Sequence, residues 1–211
     1  MPPLALSAHD VDNVIFRVAE ALEVPVLLLA LVALAAVIVE FGAFAIELHV
    51  RRRRRFEALE SAVNEARKAV ATGNRVAATQ ALRQVAWSAA MAEALDVIAD
   101  HAGLPAGETR IAKALADFDY RSERRLERTR LLVRAGPALG LMGTLIPLSP
   151  ALTGLAQGNV ARLSENLRVA FSVTVLGLLV GAIAFGLSLV RARIYGQDLS
   201  DLEYAAAVMT A

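Results

Sequence analysis

The sequence predicts an all-α membrane protein: three transmembrane helices, a helical cytoplasmic insert after the first, and an N-terminal interfacial helix. Three observations carry this. Hydrophobic residues make up 56% of the 211, and the mean hydropathy of +0.50 is well above that of a soluble domain. Three stretches are apolar enough to cross a bilayer. Two of them, Ala135 to Ala156 and Val169 to Val190, hold no charge over about 22 residues, enough at roughly 1.5 Å per residue to span a hydrocarbon core of about 30 Å. Charge is also unevenly placed. The formal net charge is +1, yet all but Arg17, Arg162 and Arg168 of the 22 Lys and Arg fall within Arg51 to Arg134 or Arg191 to Arg193. The positive-inside bias then puts those two regions in the cytoplasm and the N-terminus outside.

Residues 1–23 form the outer-side N-terminal segment. Ser7 or Asp10 can cap a helix in which Val11, Val14, Ile15, Val18 and Leu22 share a face, with Asp12, Arg17, Glu20 and Glu23 toward the other. That pattern is expected of a helix lying on the outer leaflet. The first sixteen residues carry no Lys or Arg, so no cleavable leader is expected. The first span is 24–50. Pro25 suits a helical first turn, and the run from Val24 to Val39 is wholly apolar until Glu40 interrupts it. An ionisable group at that depth costs several kcal/mol (order of magnitude) unless protonated or paired, which makes Glu40 a candidate intramembrane ionisable site. A carboxylate near the inner boundary with a purely structural bond is the competing reading. Arg51 to Arg55 then stop the span and favour anionic head groups.

The region 51–134 is expected to be a cytoplasmic helical bundle with breaks at Thr72-Gly73-Asn74 and His101 to Gly107. Helices are therefore expected at about 51–71, 75–100 and 108–134, the last running straight into the second span. The middle helix should bury Val76, Leu82, Val85, Ala86, Ala89, Leu95 and Ile98. The second span, 135–156, is followed by an outer loop, 157–168, where Gly158-Asn159 breaks the helix. The third span is 169–190, and 191–211 forms a cytoplasmic tail with a break expected at Gly196.

The two later spans differ from plain anchors in their small and polar residues. Gly136, Gly140, Thr144 and Pro147 fall at spacings of four, four and three, and Thr174, Gly177 and Gly181 likewise share a face. Glycine lets another backbone approach closely, which packing alone would use. A hydroxyl near the middle of each helix adds a hydrogen-bond partner for water or a proton, although threonine can also satisfy its own backbone. Other chemistry is missing. Without cysteine there is no disulfide or thiolate site, and His9, His49 and His101 are far apart in sequence. No GxxxxGK[ST] loop occurs and no histidine accompanies the serines of the spans, so neither an enzyme, a metal nor a cofactor is expected. The arginine run is read as topology, with no nucleic acid as partner.

The segment GPALGLMGTLIPL resembles the P-x-x-G-L-x-G-T-V-x-G-I stretch of the MotA/TolQ/ExbB proton-channel family, and AFSVTVLGLLVGAI resembles its A-L-x-x-T-A-x-G-L-x-x-A-I stretch. Thr144 and Thr174 fall on the family's two pore threonines, Gly140, Leu141 and Gly143 on its GLxG, and Gly177 and Leu178 on its GL. Two departures stand out. Pro147 replaces a family glycine, and Val169 stands where many ExbB-like members carry glutamate. The resemblance, to the short ExbB/TolQ-like members, implies a homopentamer in the cytoplasmic (inner) membrane whose second and third helices line a pore through which protons, or another monovalent cation, pass. It further implies a small single-span ExbD-like partner in that pore, energised for biopolymer or protein transport. Helix packing around the pore would fall to Gly136, Gly140, Gly143, Pro147, Gly177 and Gly181. A structural scaffold packing around a partner helix, or a self-sufficient channel using Glu40, are the rival expectations.

Overall fold

The computed structural model describes residues 8–51 and 56–210, and every regular element among them is an α-helix. These are α1 (Ala8–Ala21), α2 (Glu23–Arg51), α3 (Phe56–Ala71), α4 (Arg75–Arg83), α5 (Ala89–His101), α6 (Gly107–Ala156) and α7 (Val160–Thr210). Three stretches, Val11–His49, Gly107–Ala156 and Val160–Thr210, are helices long and apolar enough to cross a membrane. The expected cap Ser7 and the arginines 52–55 lie outside the described residues.

The chain divides into two compact units, Met1–Phe41 with Thr129–Gly186, and Gly42–Arg128 with Leu187–Ala211. In the first, the buried core is small: Ala33 and Val37 of α2 meet Val180 and Ala184 of α7, with Leu132, Val133 and Leu139 of α6 packed against them. Most large apolar side chains point away from it. Val32, Val39, Leu145, Phe171 and Val175 are all more than half exposed. Helices apolar on every side are soluble in lipid and not in water. The apolar residues expected on one face of α1, from Val11 to Leu22, are likewise exposed. Pro25 is tolerated because it sits in the first turn of α2, where amides lack helical partners anyway. α6 continues through Pro137, Pro147 and Pro150.

The second unit has a larger, conventional core. Val63, Leu82, Leu95, Ile98 and Leu202 are wholly buried, with Met91, Phe118 and Met209 nearly so. α3 packs on α4 and α4 on α5. The break after α3 is a Schellman turn: Gly73 takes φ +76°, its amide bonds the Val70 carbonyl at 3.0 Å, and the Asn74 amide bonds the Ala69 carbonyl at 2.9 Å. Asn74 then caps α4 by accepting from the Ala77 amide at 3.1 Å. Gly158 repeats that turn at the end of α6, with φ +77° and the Asn159 amide on the Gly154 carbonyl at 2.9 Å. At the end of α5 the Arg75 guanidinium donates to the carbonyls of Ala99, Asp100 and Ala102, satisfying acceptors that the helix leaves open.

Three expectations need correction. The helix expected over 75–100 is two helices, because Ser88 accepts from the Met91 amide at 3.1 Å and starts α5 afresh. With that break Val76 and Ala89 turn outward, Val76 being 69% exposed, while Leu82, Leu95 and Ile98 stay in the core. The break expected at Gly196 is absent. α7 runs on because Leu202, Ala205 and Met209 beyond it join the core, and that burial outweighs the modest helix penalty of one glycine.

Candidate functional site

The geometry of interest lies in the first unit, where α6 and α7 run antiparallel in close contact. A Cβ placed on Gly136 would meet the Gly177 carbonyl oxygen at 2.6 Å and the Gly181 nitrogen at 2.9 Å; one placed on Gly177 would meet the Gly140 Cα at 2.8 Å. One on Gly181 would meet Pro137 Cδ at 2.9 Å, and one on Gly143 would overlap the side chain of Val173. These approaches are closer than real Cβ atoms make, so the two backbones touch only because side chains are missing. The register pairs residue 136 with 181 and 140 with 177, and it brings Gly143 to Val173. Thr144 and Thr174 therefore stand at the same height on neighbouring helices.

Both threonines are half-buried and both hydroxyls turn toward one carbonyl. Thr174 donates across the contact to the Gly140 oxygen at 3.2 Å and within its own helix to the Ala170 oxygen at 3.1 Å. Thr144 donates to the Leu141 oxygen at 2.7 Å, with the Gly140 oxygen at 3.5 Å. Each hydroxyl proton is thus taken by backbone, while the oxygen lone pairs remain able to accept from water or an acid. Pro147, one turn beyond Thr144, is buried and carries no amide for the Gly143 carbonyl, which adds an acceptor near the same height. It lines a narrow gap with Gly143, Leu27 and Val169. The arrangement can hold a chain of hydrogen bonds; Glu23 of α2 also lines the gap, but neither threonine bonds a titratable group.

Glu40 is not part of it. The carboxylate is half-buried and has an interaction of its own, but neither threonine bonds it. Val37, one turn before Glu40, packs at the level of Val180 and Ala184. That level is six to ten residues along α7 from Thr174, or about 9–15 Å at the rise of a helix. Of the residues singled out in the sequence, then, Gly136, Gly140, Gly143, Thr144, Thr174, Gly177 and Gly181 converge. Pro147 adjoins them, and Glu40 stands apart.

Sequence reasoning missed an ionic cluster in the second unit. Arg51, at the end of α2, is 8% exposed and bonds the fully buried Asp198 of α7 through both terminal guanidinium nitrogens, Nη1 at 2.9 Å. It also donates to the Ile194 carbonyl at 3.2 Å, and its guanidinium lies 4.6 Å from the Trp87 ring centroid. Beside it, Arg191 lies 3.7 Å from Glu47 and over the ring of Phe44. The first arginine of the run is therefore spent on this unit and not on lipid. The available signal was the acidic residues Asp198 and Asp201 one turn apart in the tail, after the arginines 191 and 193. Among the described residues no His, Cys, Asp and Glu group could hold a metal ion.

The fold and this contact define a class: a multi-pass, all-α membrane protein with a close, glycine-lined helical hairpin bearing a threonine on each arm. The model of the MotA/TolQ/ExbB proton channel family matches residues 87–196, which include both arms and both threonines. The chain belongs to that family and is a proton-channel membrane protein. A comparison with curated proteins finds no match.

Proposed function

We propose that this chain is the pore-ring subunit of an ion-motive-force-driven motor or transport complex, a homopentamer that energises a single-span partner of the ExbD, TolR or MotB kind. The observation that carries the reading is the pair of threonines held at one height by a glycine contact, in helices with no carrier of their own. Hydroxyls that bond only backbone carbonyls pass a proton only when an acid or base is brought to them. An acidic side chain on a partner helix in the ring would supply it, and Thr144 and Thr174 would solvate it as it changes charge. In this reading the N-terminus and the 157–168 segment, which is the short turn after α6 and the first turns of α7, face outward and the second unit lies in the cytoplasm. The ion is a proton or another monovalent cation; the outer target belongs to the partner.

The second reading, a packing scaffold, is favoured by one observation: both threonine hydroxyls already donate to backbone carbonyls. Native mass spectrometry of the extracted complex, with and without a co-expressed single-span partner, separates the two, together with proton flux in proteoliposomes. A pentamer that takes up partner chains, and whose flux falls at least about tenfold in Thr174→Val with assembly intact, supports the motor. Unchanged flux in Thr144→Val and Thr174→Val, or a monomer or dimer indifferent to the partner, would sink it. A flux lost in Glu40→Gln alone would point to the self-sufficient channel.

A further inference from the structure

The second unit holds a cavity of about 490 Å³ at the start of α5. Its polar wall is made almost wholly of donors. Arg121, Arg124, Arg125 and Arg128 line it from one face of α6, at spacings of three, one and three. The single lining carboxylate, Glu93, is already bound to Arg121, and Arg125 is hydrogen-bonded to the Tyr195 hydroxyl. Among the described residues Arg124 and Arg128 have no ion pair.

Further donors come from the α5 side. The Trp87 ring lines the wall there, with its indole nitrogen buried away from the cavity. The donors are the first-turn amides of α5. Ser88 uses its hydroxyl on the Met91 amide and its carbonyl on the Ala92 amide, leaving those of Ala89 and Ala90 at the cavity wall. A helix N-terminus carries partial positive charge and favours anions.

A cation would face four guanidinium groups and one carboxylate that is already bound to Arg121, and an apolar ligand would strand the donors. The volume is far larger than one water needs and falls within the usual range for small-molecule sites. Aromatic rings of Trp87, Phe118 and Tyr195 flank the donors, so there is room for a body beside the charge. We infer that this cavity binds a phosphate-bearing anion, held by Arg124 and Arg128 with the α5 N-terminus. The phosphate could come from an anionic phospholipid head group or from a free phosphorylated metabolite, which share the recognised chemistry.

Trp87 is the single tryptophan of the chain, so its fluorescence reports the cavity directly. The test titrates pyrophosphate into the detergent-purified full-length oligomer and, separately, compares nanodiscs of phosphatidylglycerol with nanodiscs of phosphatidylcholine. Arg124→Gln/Arg128→Gln is set against the charge-matched Arg67→Gln/Arg110→Gln, two exposed arginines that do not line the cavity. A free-phosphate site gives a saturable Trp87 signal with pyrophosphate, weakened about tenfold or more in the cavity variant and less than about twofold in the control. A head-group site gives a Trp87 difference between the two nanodiscs, and phosphatidylglycerol retained in native mass spectra, both lost only in the cavity variant. No signal from either ligand, or equal loss in both variants, overturns the inference. Should the double variant not fold, Arg128→Gln alone against Arg110→Gln reads the same comparison.

Discussion

At the scale of single residues, the hairpin contact makes sharp demands. A methyl group at Gly177 would press on the Gly140 backbone, which has no side chain to move aside, whereas at Gly186 nothing lies within 4 Å. Gly177→Ala should therefore cost about 1–3 kcal/mol and Gly186→Ala almost nothing, measured by thermal unfolding in one detergent. The buried pair Arg51 and Asp198 makes a second demand. Asp198→Asn leaves the guanidinium buried without its counter-charge, at a cost of about 3–5 kcal/mol, while replacing both partners by apolar residues should recover much of that. Tyr195 sets a pH dependence. Burial, and then the nearby Glu47 carboxylate, hold its phenol above the ordinary value of 10.0, with Arg191 and Arg125 pulling the other way. Above pH 10 the unfolded phenol ionises first, so the folded form binds the extra proton and stability falls as pH rises toward the native value. An alkaline unfolding series should show this fall, and Tyr195→Phe should flatten it.

At the scale of elements, the Gly-Asn turns and the two uncharged arms were legible because one residue type or one unbroken run decides them. The Schellman turns at Gly73 and Gly158 need a left-handed residue, and only glycine takes that conformation freely. The glycines and threonines of the hairpin were legible for a similar reason: helical spacing alone puts them on one face. What was not legible depends on contacts across long separations. Gly196 reads as a break until the residues after it are seen in a core, and Arg51 reads as a lipid anchor until Asp198, 147 positions later, is seen beside it. Ser88 is the intermediate case, a cap signal inside a run that otherwise looks like one helix. Ser88→Ala should destabilise by about 1 kcal/mol. Gly196→Ala, exposed and with open space around its Cα, should stabilise α7 by about 0.5–1 kcal/mol; both are readable in the same thermal series.

For the whole molecule, the arginine distribution and the absence of cysteine together make the topology open to a direct measurement. A single cysteine at Gln157, which is exposed just after α6, should react with an impermeant maleimide added to intact cells. One at the exposed Ala207 of α7 should react only after permeabilisation. The opposite pattern would reverse the positive-inside assignment and move the Arg51 cluster, the arginine-lined cavity and the tail to the outer side.

The Gly140 carbonyl, which accepts the Thr174 hydroxyl across the hairpin, also has a spectroscopic consequence. Extra hydrogen bonds to a peptide oxygen weaken its C=O bond and lower its stretching frequency. An isotope-edited infrared band at Gly140 should therefore lie below that of an ordinary helical residue, and it should move up when the threonine turns away to serve another partner. Followed while a voltage or pH gradient is applied to reconstituted membranes, that one oscillator would time the hydroxyl's departure and return.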